Sequence, residues 1–480
     1  MEKTKKKVLF WVLIPLISAL LIAGIVIGSV MSCAPKSGGP NTPVEPGPDD
    51  PPVDDPPVVD PPPHEHQWMW TYTPTEHYQY CGADSEIRNK GPHEYANEEE
   101  TVCKYCGYVR KLPTKQEDME VEFDEDGNAK IGGATGTIND LVISGTVKDP
   151  DGNDVDVVEI TEEAFKDNND LHSLTILDGV KEIGRDAFSG CSMLESVWLP
   201  KTVEYIHPQA FQTCKNLKSI IIDENNPVYM SIYNCIIKID DKCLIIGCKG
   251  STIPTRTDGS QYLVTSIGEY AFCGSGIQKI EIPNNITEIG AHAFDDCTSL
   301  TEFTCLESVT QIHRYTFNGC TALTDVVLGD GITAIGQNAF FECTALESIV
   351  FPKNLETIGQ YAFKGCTSLK EITFNDALTG IDKYAFIGCT ALESITLPAS
   401  ILGIGSLAFA GCNKLTSIIY EGTQEQWAKV RTEAGWKPDG VEVTFAADSN
   451  ENGQDNTGTD KGDTQNPGAN AGSGDGGTDN

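Results

Sequence analysis

Basic residues are scarce in this chain. Its 480 residues include 34 Lys and Arg against 70 Asp and Glu, a formal net charge of −36. A general nucleic-acid binder needs a positive footprint, so that class is excluded. Catalytic signatures are missing too: no G-x-S-x-G, H-E-x-x-H or phosphate-cradling glycine loop occurs. The segment from Asp448 to Asn480 has no apolar cluster and reads as a disordered acidic tail. It contains no wall-sorting motif followed by an apolar helix, so attachment is expected at the amino-terminal end.

At that end, Lys3, Lys5, Lys6 and Lys7 precede an apolar run from Val8 to Met31, broken only by Pro15. The run exceeds a signal-peptide core and is long enough to span a bilayer, with the lysines on the cytoplasmic side. Residues 1–33 therefore read as a signal-anchor or a lipoprotein signal, with simple secretion as a third reading. Val30-Met31-Ser32-Cys33 resembles the box before a lipidated cysteine, which makes Cys33 the candidate lipidation site. Residues 34–63 are dense in proline and aspartate and have little to bury, so they read as a disordered spacer.

Beyond the spacer one phrase recurs. Phe165, Phe188, Phe211, Phe272, Phe294, Phe317, Phe340, Phe363, Phe386 and Phe409 are spaced by 23, 23, 61, 22 and then five times 23 residues. Such self-similarity predicts a mostly β solenoid, each coil burying its apolar side against its neighbours. In one unit Leu369, Ile372 and Phe374 alternate as on a short strand. The trio Leu378, Ile381 and Tyr384 then leads into Ala385-Phe386. A glycine often follows the isoleucine, as at Gly336 and Gly359, for tight turning or close backbone approach.

Cysteine is plentiful, and eight of the 17 stand three residues after a phenylalanine: Cys191, Cys214, Cys297, Cys320, Cys343, Cys366, Cys389 and Cys412. A fixed phase, with Ser275 substituting once, suits a ladder of small buried thiols better than disulfides, metal or redox chemistry. On this reading alanine at Cys366 leaves a small cavity. Serine there is expected to cost more, its hydroxyl lacking an easy partner.

The recurrent I-G-x-x-A-F-x-G-C-x-x-L-x-x-I core, over about 285 of the 480 residues, resembles the BspA-type leucine-rich repeats of bacterial cell-surface proteins. The resemblance implies a leucine-rich repeat array over residues 161–447. It also implies a hairpin insert at 226–260 and a C-terminal cap at 418–445 containing Trp427 and Trp436. Residues 116–160 are expected to cap the other end. Within them Asp149–Asp156 does not match a calcium-loop frame and reads as an acidic turn.

Residues 64–115 form a separate small Cys/His module. His64, His66, His77, Cys81, His93, Cys103 and Cys106 are its candidate ligands, and Cys103-Lys104-Tyr105-Cys106-Gly107 has a metal-knuckle spacing. The expected set is one structural zinc on Cys81, His93, Cys103 and Cys106, with His77 as the alternate ligand. A disulfide among the three cysteines, or incidental clustering, are the other readings.

The function that fits is a non-catalytic adhesion or interaction scaffold on the bacterial surface. It would be held to the cytoplasmic membrane through its N-terminus and would bind an extracellular protein or glycan. A structural envelope component without a ligand and a surface hydrolase are the alternatives. Exposed aromatics recurring down one strand face would favour binding; uniformly polar faces would favour the structural role.

Overall fold

A computed structural model describes residues 68–72, 76–81, 87–92, 94, 102–104, 111–254 and 264–446. The expected anchor, Cys33, the spacer and the acidic tail lie outside the described residues. Among those described, no helix is long and apolar enough to cross a membrane.

Each coil is built as Ser394–Leu397 and its neighbours show. In that strand Ile395 and Leu397 point inward while Ser394 and Thr396 do not. A turn follows, and Ile401 returns the chain to the core. The short strand Gly403–Ile404 buries Ile404, and Ala408, Phe409 and Cys412 close the interior. Alternation sets one face of each strand inward, and the repeat length sets the register. Ser394 pairs with Ser417 and Ile395 with Ile418, a parallel ladder with one coil per rung.

Two parallel sheets result. The long-strand sheet runs through Asp140–Ile143, Ser173–Ile176, Ser196–Leu199 and Ser219–Ile222. It resumes in Lys279–Ile282, Glu302–Cys305 and Asp325–Leu328, then again from Glu371–Thr373 to Val443–Phe445. The opposite sheet is made of two-residue strands and runs unbroken from Gln311–Ile312 to Arg431–Thr432. Between the sheets the phenylalanine rings stack coil on coil, 5.0 Å apart for Phe340–Phe363 and Phe363–Phe386, with planes within 6°. Gly336 is required because a Cβ there would lie 2.7 Å from the backbone of the preceding coil at Arg314 and His313.

The 61-residue spacing holds an antiparallel meander of Tyr229–Ile232, Cys235–Lys238 and Cys243–Ile246. The last of these pairs in parallel with Ser266–Ile267 and so rejoins the short-strand sheet. The buried core divides at this point into two clusters, one from Met119 to Cys248 and one from Cys235 to Trp436. Backbone at Gly247 lies against the Phe272 ring, leaving no room for a side chain at that glycine.

At the amino-terminal end, the hairpin Met119–Phe123/Ala129–Ala134 adds to Asp154–Ile160. Two turns there share the pattern D-x-D-G-N. The carboxylate of Asp149 accepts the backbone N–H of Asp151 (2.9 Å) and of Asn153 (2.8 Å), so it is consumed by its own turn. Asp124 does the same for Asp126 and Asn128.

The zinc expectation is corrected here. The strands Trp68–Tyr72, Glu76–Cys81 and Ile87–Pro92 form a three-stranded antiparallel sheet in which Cys81 pairs with Trp68 and His77 with Tyr72. His77 and Cys81 stand four positions apart in the one extended strand Glu76–Cys81, roughly 14 Å at strand rise. Ligands at about 2 Å from one ion cannot be that far apart. Cys103 is buried, and among the described residues no group of three or more His, Cys, Asp or Glu is placed to hold a metal. The set Cys81, His93, Cys103 and Cys106, with His77 as alternate, is therefore not assigned; His93 and Cys106 lie outside the described residues.

Candidate interaction surface

The repeated phenylalanines and cysteines face the interior. From Phe188 to Phe409 the rings are at most slightly exposed, and the eight ladder cysteines are buried. Each ladder thiol donates to the carbonyl of the phenylalanine one coil back. Cys320 reaches Phe294 at 3.1 Å, and Cys343, Cys366 and Cys389 reach Phe317, Phe340 and Phe363 at 3.2 Å. Burial pushes the thiols of Cys191, Cys297 and Cys366 up to about 12, so they stay protonated and unreactive at neutral pH. The waiting carbonyl also reverses the expectation for serine: a hydroxyl at Cys366 would find Phe340 O.

The outer face of the long-strand sheet carries a column set by the register. It runs Thr175, Trp198 and Ile221 before the meander, then Glu281, Thr304 and Val327, and finally Thr373, Thr396 and Ile419. Val350 stands one repeat after Val327. Val327 is 53% exposed and Val350 81%, a β-branched stripe on an otherwise acidic molecule. Of this column only Trp198 is aromatic. Lysines beside it mostly pair with carboxylates of adjacent coils, as Lys218 does with Glu195 (2.8 Å) and Lys370 with Glu347 (2.6 Å).

The sheet is interrupted beneath Val350. No backbone hydrogen bond joins Ser348–Phe351 to the strand on either side, although the opposite sheet continues through Thr357–Ile358. Phe351 and Phe374 occupy the inward site that Leu328 and Leu397 fill elsewhere, and their rings stack at 5.3 Å.

A second surface lies along the turns, two residues before every core phenylalanine except Phe211. Glu163, Asp186, Tyr270, His292, Tyr315, Asn338, Tyr361, Tyr384 and Leu407 all have φ between 54° and 63°. Bulky residues rarely adopt this region. Tyr270, His292 and Tyr315 stack at 4.6 Å per step, and Tyr361 stacks on Tyr384 at 4.9 Å, all half-exposed. Of the trio Leu378, Ile381 and Tyr384, the first two are buried and Tyr384 is a surface rung. The signal was present as Tyr or His at a 22–23 residue spacing, but the turn conformation that turns it outward is not written in the pattern.

The BspA type leucine rich repeat model matches the chain in six copies over residues 154–242, 260–366 and 333–429. No curated protein matches the chain. Similar solved structures include a leucine rich cell surface protein from Faecalibacterium prausnitzii A2-165, 26% identical over 68% of this chain and 99% of that one, with a TM-score of 0.38. A leucine-rich repeat protein from Bacteroides ovatus is 22% identical over 69% of this chain and 99% of that one, with a TM-score of 0.33. The pneumococcal vaccine antigen PcpA is 16% identical over 80% and 95%, with a TM-score of 0.38. The repeat match spans more than half of the sequence, its period is that of the stacked coils, and the chain belongs to the BspA-type leucine-rich repeat family.

Proposed function

We propose that the chain is a non-catalytic interaction scaffold, displayed on the bacterial surface, that holds an extracellular protein or glycan against the long-strand face. The observation that carries this reading is the stripe at Val327 and Val350. Two exposed valines one repeat apart on adjacent coils gain nothing from water, and the rigid stack of coils presents them at fixed spacing. The family resemblance to cell-surface proteins supports the same reading. In this arrangement residues 1–33 hold the chain to the membrane, by a signal-anchor or through a lipid on Cys33. Residues 34–63 lift it from the surface, 64–115 form a small module, 116–160 cap the array, 161–447 present the surface, and 448–480 trail from it.

The test is to array the full chain and its Val350→Asp variant against matrix proteins, glycans and whole cells. Saturable binding that the variant loses, with an unchanged thermal midpoint, is the expected outcome. Binding that survives the substitution removes the strand face from the proposal. No binding at all, together with a regular lattice of the protein on intact cells, favours a structural role.

A further inference from the structure

The aromatic column on the turn edge has one gap. Tyr270, His292 and Tyr315 are consecutive rungs, and so are Tyr361 and Tyr384, but the rung between the two runs is Asn338. Asn338 holds the same left-handed backbone (φ 57°) as its neighbours and is 8% exposed. Its side-chain oxygen has no hydrogen-bond donor. Tyr315 and Tyr361 face this short residue from either side, two coils apart, roughly 10 Å at strand spacing.

The filled version of this arrangement exists two rungs earlier. The imidazole of His292 lies between Tyr270 and Tyr315, 4.6 Å from each and within 12° of parallel. Its Nδ1 meets the carboxylate of Asp295 at 2.6 Å, so there a ring with an N–H is paired with an anion. At Asn338 the polar neighbour has the opposite sign. The ammonium of Lys364 lies 4.8 Å from the centre of the Phe341 ring and 5.4 Å from that of Tyr361, with no carboxylate partner among the described residues. On a chain of net charge −36 Lys353 and Lys370 are matched by Asp330 and Glu347, whereas Lys364 is held by aromatic faces instead.

We infer that the notch formed by Tyr315, Asn338, Phe341, Tyr361 and Lys364 binds a sugar ring that carries a carboxylate. A puckered, saturated ring is thicker than an aromatic plane and suits the two-coil separation of the tyrosines. Its C–H faces pack on the two phenol rings and its carboxylate meets Lys364. This site stands apart from the strand face and does not depend on the partner held there.

The test titrates the full chain with tetragalacturonate, with its methyl ester, and with sialyllactose against lactose, by calorimetry. The acidic sugars are expected to bind at least tenfold more tightly than their neutral counterparts. Lys364→Gln should erase that difference. Asn338→Tyr should complete the aromatic column and abolish binding, with a thermal midpoint no lower than that of the parent, because Tyr361 already occupies the same conformation. Absence of saturable binding by either acidic sugar overturns the inference, as does equal affinity for acid and ester or acidic-sugar binding that Lys364→Gln leaves intact. Retention of strand-face binding by these variants would separate this result from the fate of the scaffold reading.

Discussion

At the scale of the residue, position within the coil decides what a side chain does. The ladder cysteines are small core residues that also complete a hydrogen bond, since each thiol donates to a carbonyl one coil back. Cys366→Ala should therefore destabilise by on the order of 1 kcal/mol, from a cavity and a lost donor. Cys366→Ser should cost less than alanine in the same thermal-unfolding series; the reverse order would show that desolvation of the hydroxyl outweighs its bond to Phe340. Asp149 gives a pH signature. The side chain and backbone of Asn153 donate to its carboxylate and hold it below the usual carboxylate range. A depressed folded pKa means stability that is present above the unfolded value, near 3.8, and is lost as pH falls through the folded value. Asp149→Ala should lower the thermal midpoint more at pH 7 than at acid pH, because the charge-dependent part of the turn's stability is lost as pH falls through the folded value. A constant difference at both pH values would assign the effect to backbone geometry alone.

At the scale of the element, the carboxy-terminal unit ends the stack with a different shape. Trp436 is nearly buried and meets Phe409 edge-on at 6.3 Å, and its carbonyl accepts the N–H of Phe409 at 2.8 Å. The one-turn helix Gln424–Trp427 begins at a capping box in which Thr423 and Gln426 satisfy each other's backbone N–H. Trp427 then packs near Tyr420 and Trp436 at 5.0 and 5.8 Å. Trp436→Ala should cost about 3 kcal/mol, the range for removing a large core aromatic. Amide exchange should then quicken from Gly403 to Tyr420 while the coils around Phe188 keep their protection. Uniform acceleration along the chain would mean that the last coil is not an independent end.

At the scale of the whole molecule, a solenoid couples each coil only to its neighbours, so its cooperativity breaks where the contacts thin. The two core clusters part at the meander, where the phenylalanine stack stops at Phe211 and restarts at Phe272. Denaturant unfolding should show two steps, one for the coils up to Cys248 and one for those beyond. A single transition with coincident fluorescence and circular dichroism would make the junction as strong as the coils it joins.

Much of this was legible before any coordinates. A 23-residue period with phenylalanine and cysteine at constant phase determines a stacked parallel solenoid, because only equivalent positions in successive coils can share one core. The spacing of 61 marked the insert for the same reason: a longer repeat must leave the stack. Three things were decided only in the tertiary structure. Which side of the turn Tyr384 faces depends on a left-handed backbone at that residue, and periodicity carries no handedness. Whether a thiol has a hydrogen-bond partner depends on the coil before it, 26 residues away in sequence. The separation of His77 from Cys81 follows from an extended strand, whereas ligand spacing in a sequence counts residues and not the distance they cover. Local pattern determined the stack; the direction of each exposed side chain, and so the surface available to a partner, was set by the packing of one coil on the next.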